Sequence, residues 1–302
     1  MIVTDELRPE LRPAVDLLLE HALAADGVAP LDEAARFALQ ADAPDGTLHL
    51  LVTDPPDAGG EPADGPSVRV LGYASVLPDG TLQGTVDPAS RRQGLGTSLL
   101  TAALERRPDA GVWAHGALPA SLDFLRARGL ESVRELLTMR RPLGGGADEV
   151  PLREPRDPAV ELDTFEAERD ADDWVRVNAR AFAQHPEQGR LTRADLDERM
   201  AQPWFDPQDL HVARRDGALL GFVWIKREDD EDEVYAVGTD PDAAGNGIAG
   251  ALLSRALRAL ADAGAEAATL YVEGDNTSAI ALYEHLGFEV SGRDLQYRAS
   301  AA

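Results

Sequence analysis

Leu252, Leu253, Ala256, Leu257 and Leu260 recur three or four residues apart and form one apolar stripe, which predicts a helix over about 247–263 that Gly264 ends. Apolar enrichment with partial alternation predicts strands near 211–215, 219–226 and 233–239, with Asp216-Gly217 and an acidic run from Glu228 as the intervening turns. Further periodic segments predict helices over 172–182 and 192–201 before these strands. A strand at 268–273, a helix at 277–286 and a strand at 288–297 follow them.

The order of elements in the second half repeats that of the first. Thr85-Val86-Asp87-Pro88-Ala89-Ser90-Arg91-Arg92-Gln93-Gly94-Leu95-Gly96 aligns with Gly238-Thr239-Asp240-Pro241-Asp242-Ala243-Ala244-Gly245-Asn246-Gly247-Ile248-Ala249, and a small, Leu-rich helix follows each. Further on, Phe124 to Leu130 aligns with Leu282 to Phe288. Two Pro- and Gly-rich stretches, Asp54 to Pro66 and Leu143 to Pro158, read as loops or linkers. The second stretch divides the chain into domains at 1–142 and 159–302, with 143–158 as linker. The expected fold is α/β (α+β): two domains in tandem, each a mixed, mostly antiparallel sheet flanked by helices, whose strands splay beside the Gly-rich helix start.

Composition narrows the chemistry. The 302 residues are 44% hydrophobic, enough for two cores. A formal charge of -25 argues against a nucleic-acid partner, because phosphate-binding surfaces need clustered Lys and Arg. With no cysteine and six scattered His, neither a metal site nor a thiol nucleophile is expected. The acidic, polar start and the lack of an apolar run of about 18 residues lead us to expect a cytoplasmic monomer without a membrane partner.

The aligned loops are suited to phosphate. Their glycines let the backbone approach a pyrophosphate, and free N–H groups with the positive end of the helix dipole hold it. Together with the Asn276, Ala279, Tyr283 and Gly287-Phe288 pattern, they resemble the GNAT N-acetyltransferases. His185-Pro186-Glu187-Gln188-Gly189-Arg190, Pro203-Trp204-Phe205-Asp206-Pro207, Glu233-Val234-Tyr235, Leu270-Tyr271-Val272-Glu273 and Trp113-Ala114-His115-Gly116 are similar to the mycothiol synthase branch of that superfamily. That family acetylates the amine of cysteinyl-glucosaminyl-inositol with acetyl-CoA. The resemblance implies Glu233 as general base and Tyr283 as the acid that protonates the departing thiolate. It implies Glu33, Glu187, Lys226, Tyr271 and Glu233 as contacts to a small-molecule amine. Acetyl-CoA would lie along Val237, Gly238, Thr239, Ala244, Gly245, Asn246, Gly247, Ile248, Ala249, Gly250, Asn276, Thr277, Ser278, Ala279, Ile280 and Ala281. In the first half the corresponding residues are Gly84, Thr85, Val86, Arg92, Gln93, Gly94, Leu95, Gly96 and Thr97. The chemistry fits these types, since an amine must lose a proton to attack and a leaving thiolate must gain one. Crowding by Asp230, Glu231 and Asp232 is expected to raise the pKa of Glu233.

Two departures from the family pattern stand out. Ala244 and Asn246 occupy positions where Gln or Arg and an arginine are usual, so the second loop lacks charged donors. The first half keeps Arg91, Arg92, Gly94 and Gly96 but has Gly80, Leu118 and Leu125 where the second has Glu233, Asn276 and Tyr283. Its domain is therefore expected to bind without catalysing. Two further readings stand beside this one: an N-acetyltransferase of an antibiotic amine or protein N-terminus, and a regulator that binds acetyl-CoA without turnover.

Overall fold

The computed structural model describes residues 1–41, 43–54, 68–146, 149–183, 188–227 and 232–299. It forms two compact units, Met1–Leu136 with Arg293–Ala302, and Leu137–Gly292.

Unit 1 begins with β1 (Ile2–Thr4), α1 (Arg12–Asp26) and α2 (Glu33–Gln40). Gly27, at φ 71°, closes α1, and the Asp32 carboxylate caps α2 by accepting the Ala35 N–H at 2.8 Å. The chain continues through β2 (Leu48–Thr53), β3 (Val70–Val76), β4 (Thr81–Val86), α3 (Leu95–Arg106), β5 (Gly111–Ala114) and α4 (Pro119–Arg126). The long strand β6 (Leu130–Pro142) starts in this unit.

Unit 2 takes over at Leu137 and contains β7 (Glu161–Thr164), α5 (Ala167–Ala181), α6 (Arg193–Met200), β8 (Leu210–Arg215), β9 (Ala218–Lys226), β10 (Asp232–Thr239), α7 (Ile248–Asp262), β11 (Ala267–Glu273), α8 (Thr277–His285) and the start of β12 (Glu289–Ala299). The stripe Leu252, Leu253, Ala256, Leu257 and Leu260 is fully buried under one face of the sheet, with Ile225, Val234, Leu270 and Val272. The opposite face packs Trp174 of α5 against Phe222 and Trp224 of β9. Thr192 and Asp195 cap α6 reciprocally.

The compact units differ from the sequence halves in two ways. First, the halves exchange their last strands: β5 pairs antiparallel with the end of β12 (Tyr297 opposite Val112), and Tyr297 is buried in the unit 1 core. Residues 137–142 of β6 lie instead beside β11, and Met139 is buried in the unit 2 core. Second, segment 143–158 does not behave as a linker where it is described. Leu143 and Val150 are buried in unit 2, and the Leu143 N–H donates to Glu266 at 2.8 Å. Their apolar side chains gain more by joining that core than by staying in water.

Candidate active site

Among the described residues, a pair of parallel strands parts in each unit. In unit 2, β10 and β11 run parallel but pair only at Asp232–Ala268 and Glu233–Thr269, after which the strands part among the described residues. In unit 1, β4 and β5 pair only at Thr81–Gly111 and Leu82–Val112. The parted strands leave backbone N–H and C=O groups facing a gap, where a ligand's amides can pair with them. The expected splay is thus present in both units.

The unit 2 gap is reshaped by a bulge. Gly221 to Trp224 of β9 pair with Thr239 to Ala236, but Ile225 pairs with Val234, so Tyr235 is an extra residue on β10. The β3–β4 ladder of unit 1 has no such shift. A bulge re-aims the side chains beside it. Tyr235 is locked by Trp204 and Trp224, with ring centroids 5.6 and 5.5 Å away, and its hydroxyl accepts from Arg199 at 3.2 Å. The Pro203 to Pro207 loop therefore serves this aromatic core, with Trp204 and Phe205 packed on it.

Below the bulge, Glu233 lies directly across the ladder from Lys226, the chain's single lysine. Val234 and Ile225 point into the core under α7, so alternation turns Glu233 and Lys226 to the other face. Lys226 Nζ stands 5.8 Å from the Trp204 ring centroid on that face. Tyr271 joins them by the same alternation, since Leu270 and Val272 are buried on the α7 side while Tyr271 is 56% exposed. Three of the expected residues thus share one face across β9, β10 and β11. Tyr283 lies on the opposite face, 7% exposed in the α7 core, with Phe288 at 6.0 Å edge-on. Burial pushes its phenol up to about 12.

Of the other expected contacts, Glu187 lies outside the described residues, as do Asp230 and Glu231. The Asp232 carboxyl is held above its ordinary range by burial, with Asp209 adding to this and Arg227 opposing it. Glu33 is exposed at the first position of α2 in unit 1.

The loops after β10 and β4 share one construction. Asp240 accepts the Asp242 N–H, and Asp87 accepts the Ala89 N–H, so each carboxylate starts a short 3-10 turn. The first long helix of each unit tethers that carboxylate: Arg176 and Arg180 of α5 reach Asp240 at 3.1 and 3.0 Å, and His21 of α1 reaches Asp87 at 3.4 Å. Burial works to raise both carboxyls, but the Asp242 N–H with Arg180 and Arg176 holds Asp240 below the usual range, and hydrogen bonds from His21 and the Ala89 N–H with the charge of Arg69 do the same for Asp87. Gly247 at φ 78° and Gly94 at φ 86° then turn the chain into α7 and α3. The first intrahelical bonds are Ala251 N–H to Gly247 and Ser98 N–H to Gly94, which leaves the preceding N–H groups free for an anion. This cradle fits a pyrophosphate in both units. In unit 2, Val237, Gly238 and Thr239 lead to it along β10, and Ala244 to Gly250 form it. Gly84, Thr85 and Val86 end β4 in the same way. Asn276 caps α8 by accepting the Ala279 N–H at 3.2 Å, which places residues 277–281 in that helix's first turns. A cavity of about 390 Å3 borders the unit 2 loop at Asn246 and Ile248, and its lining includes Asp157, Asp173, Asp240 and Asp242 together with Arg176 and Arg215.

Unit 1 holds a polar network that sequence reading missed. Gln83 of β4 accepts the Asp32 N–H at 2.7 Å and donates to the Asp32 carboxylate. His115 Nε2 lies 3.0 Å from the Gln83 carbonyl and its Nδ1 3.1 Å from Asp294, which also accepts the Gly116 N–H. Both ring nitrogens of His115 therefore face carboxylate or amide oxygens of the network. No spacing rule marks residues 83, 115 and 294 as neighbours, because Asp294 arrives on the exchanged strand.

Comparison with known proteins agrees with this architecture. The Acetyltransferase (GNAT) family model matches residues 172–288. The chain is 51% identical to the mycothiol acetyltransferase of Brachybacterium faecium over 99% of both chains, and 42% identical to that of Streptomyces coelicolor over 97% of this chain and 93% of the relative. Among solved structures, a GCN5-related N-acetyltransferase from Sphaerobacter thermophilus matches with a TM-score of 0.72 at 22% identity, covering 98% of this chain and 94% of that one. A tandem GNAT protein from the clavulanic acid pathway matches with a TM-score of 0.64 at 20% identity, covering 96% of each.

Proposed function

The chain belongs to the mycothiol acetyltransferases of the GNAT family, and on that premise we propose that unit 2 moves the acetyl group of acetyl-CoA to the cysteinyl amine of cysteinyl-glucosaminyl-inositol, giving mycothiol. The observation that carries this reading is the gap between β10 and β11, with Glu233, Lys226 and Tyr271 on one face and Tyr283 on the other. Acetyl-CoA supplies an activated acyl carbon. The parted strands and the loop before α7 hold it by backbone groups, and the residues on the two faces do the rest.

Glu233, directly or through one water, takes the proton of the attacking amine. An α-amino group has an ordinary pKa near 8, so at neutral pH it is mostly protonated and gains from a base. Lys226, Tyr271 and Glu187 position the amine by its sugar and cysteine groups. Tyr283 approaches from the other face and gives its proton to the sulfur as the C–S bond breaks, so that CoA departs as the thiol and solvent returns a proton to the phenolate. With its phenol pushed up to about 12, it enters each cycle protonated at every working pH. The same apolar surroundings penalise a bare thiolate, so stabilisation of the leaving group grows as charge develops on it. Attack is direct, the chain having no cysteine to carry an acyl intermediate, and kinetics are sequential. Unit 1 keeps the cradle but has Gly80, Leu118 and Leu125 at the positions of Glu233, Asn276 and Tyr283, and it binds without catalysing.

A thiol-release assay with acetyl-CoA against a panel of amines tests this. The expected result is a strong preference for cysteinyl-glucosaminyl-inositol over aminoglycosides and N-terminal peptides. Equal or better use of another amine would overturn the acceptor assignment, and thiol release with none would overturn the enzyme reading.

A further inference from the structure

The second loop lacks cations in its own sequence, yet a separate segment of unit 2 brings one to it. The Arg156 N–H donates to the Asn246 carbonyl at 2.9 Å. A Cβ at Gly247 would meet the Glu154 carbonyl at 3.6 Å and one at Gly250 would meet Arg153 Cδ at 3.5 Å, so segment 153–156 lies against the loop and the first turn of α7. That segment is fixed at its start. The Arg153 N–H donates to Ser254 Oγ at 3.0 Å, and its guanidinium donates to the His285 carbonyl at 2.7 Å. The neighbouring acids are committed elsewhere, Glu154 to Arg255 at 3.2 Å and Asp157 to Arg215 at 3.1 Å. The Arg156 side chain is exposed and has neither an ion pair nor a hydrogen bond among the described residues. An unneutralised arginine in a chain of net charge -25, with its backbone bonded to an anion cradle, is placed for a phosphate.

We propose that Arg156 supplies the positive charge of the unit 2 pyrophosphate site, replacing from outside the loop the donors absent at Ala244 and Asn246. The proposal rests on the acetyl-CoA reading above and adds a binding residue to it. Unit 1 does not share this arrangement: a Cβ at Gly94 would meet nothing within 4 Å.

Hydrogen exchange read separately over residues 244–250 and 92–97, during titration of the full-length protein with CoA, resolves the two loops. Arg156→Gln is expected to raise the CoA concentration that half-protects 244–250 about tenfold at low salt. Arg156→Lys should recover part of that loss, and the gap should shrink at high salt. Protection over 92–97 should not change. S-acetylpantetheine, which lacks the pyrophosphate, should be used equally by the normal chain and Arg156→Gln. An unshifted CoA midpoint over 244–250 in Arg156→Gln overturns the proposal, as does an equal loss with S-acetylpantetheine, which would mark a structural role. The acceptor assay on the unaltered protein is independent: a failure there with a loop still responsive to Arg156 would sink the acceptor and leave this inference standing.

Discussion

At the second position of the unit 1 loop Arg92 sits at φ 66°, and at the same position of the unit 2 loop Gly245 sits at φ 76°. One position earlier, Arg91 is forked onto Asp26 of α1 at 2.8 and 2.6 Å, whereas Ala244 has no charge to place. The backbone is therefore common to both loops while the charge is not. Arg91 spends its guanidinium holding the loop to its own helix, so an arginine count in the sequence overstates what unit 1 offers a phosphate. Arg92 remains exposed, held in a left-handed conformation that glycine adopts without strain. Both loops build the same turn from an Asp-Pro start and a glycine before the helix, while the arginines of the first have no counterpart within the second.

The largest expected difference between the units is catalytic. Glu233→Gln should lower turnover by roughly 10² to 10⁴ at neutral pH and flatten its rise with pH, measured by steady-state thiol release. Arg92→Gly in unit 1 should fall far short of that loss, and a comparable loss there would make the first cradle part of the chemistry. Tyr283→Phe should lower kcat by roughly 10- to 100-fold with little change in the acceptor KM, since its proton passes over only as the sulfur leaves. Because its phenol is pushed up to about 12, the normal chain should show no alkaline loss of activity from this group below that pH.

The tethers should respond alike. Asp240→Ala and Asp87→Ala should each cost about 1–2 kcal/mol in denaturant titrations, the range for losing a capping side chain with its partners. Both carboxyls titrate below their ordinary value when folded, so their contribution is present above about pH 4 and is lost as pH falls through the folded pKa. Stability of the normal chain should therefore drop on acidification more steeply than that of the double variant. The smallest effect separates the two loops: Arg92→Gly should relieve strain and raise stability by about 1 kcal/mol, while weakening CoA protection over 92–97. A destabilised Arg92→Gly chain would show that the guanidinium holds the turn.

Most of the second half was legible because its periodicities are strong. The stripe of α7, the strands β8 to β11 and the Gly264 stop all fall within a residue or two of their sequence positions. The splay could be expected because the loop and helix repeat, and it is present in both units. What could not be read depends on partners distant in sequence. A run such as 288–297 signals a strand but not its neighbour, so the pairing of Leu295 with Ala114 had no local mark. Likewise Leu143 and Val150 lay in a Gly- and Pro-rich stretch whose composition says loop, yet two apolar side chains suffice to dock it. The Tyr235 bulge left no signal either, because an extra strand residue is visible only against its partner. For the candidate site, the sequence supplied Glu233, Lys226, Tyr271 and Tyr283 through resemblance. Their division between two faces came from the alternation of Val234, Ile225, Leu270 and Val272 into one core.

The strand exchange bears on how the chain is made. Synthesis proceeds from the N-terminus, and domains ordinarily fold as they emerge. Here the sheet of unit 1 waits for residues 293–299, the last described part of the chain, before β5 gains its outer neighbour and Tyr297 enters the core. Unit 2 already has its borrowed strand, residues 137–142, when β11 is made. The first unit to leave the ribosome is thus the last to be completed. Until then the edge of β5 is open to any other strand, a hazard on a nascent chain and a reason for a premature stop in β12 to damage the unit farthest from it in sequence.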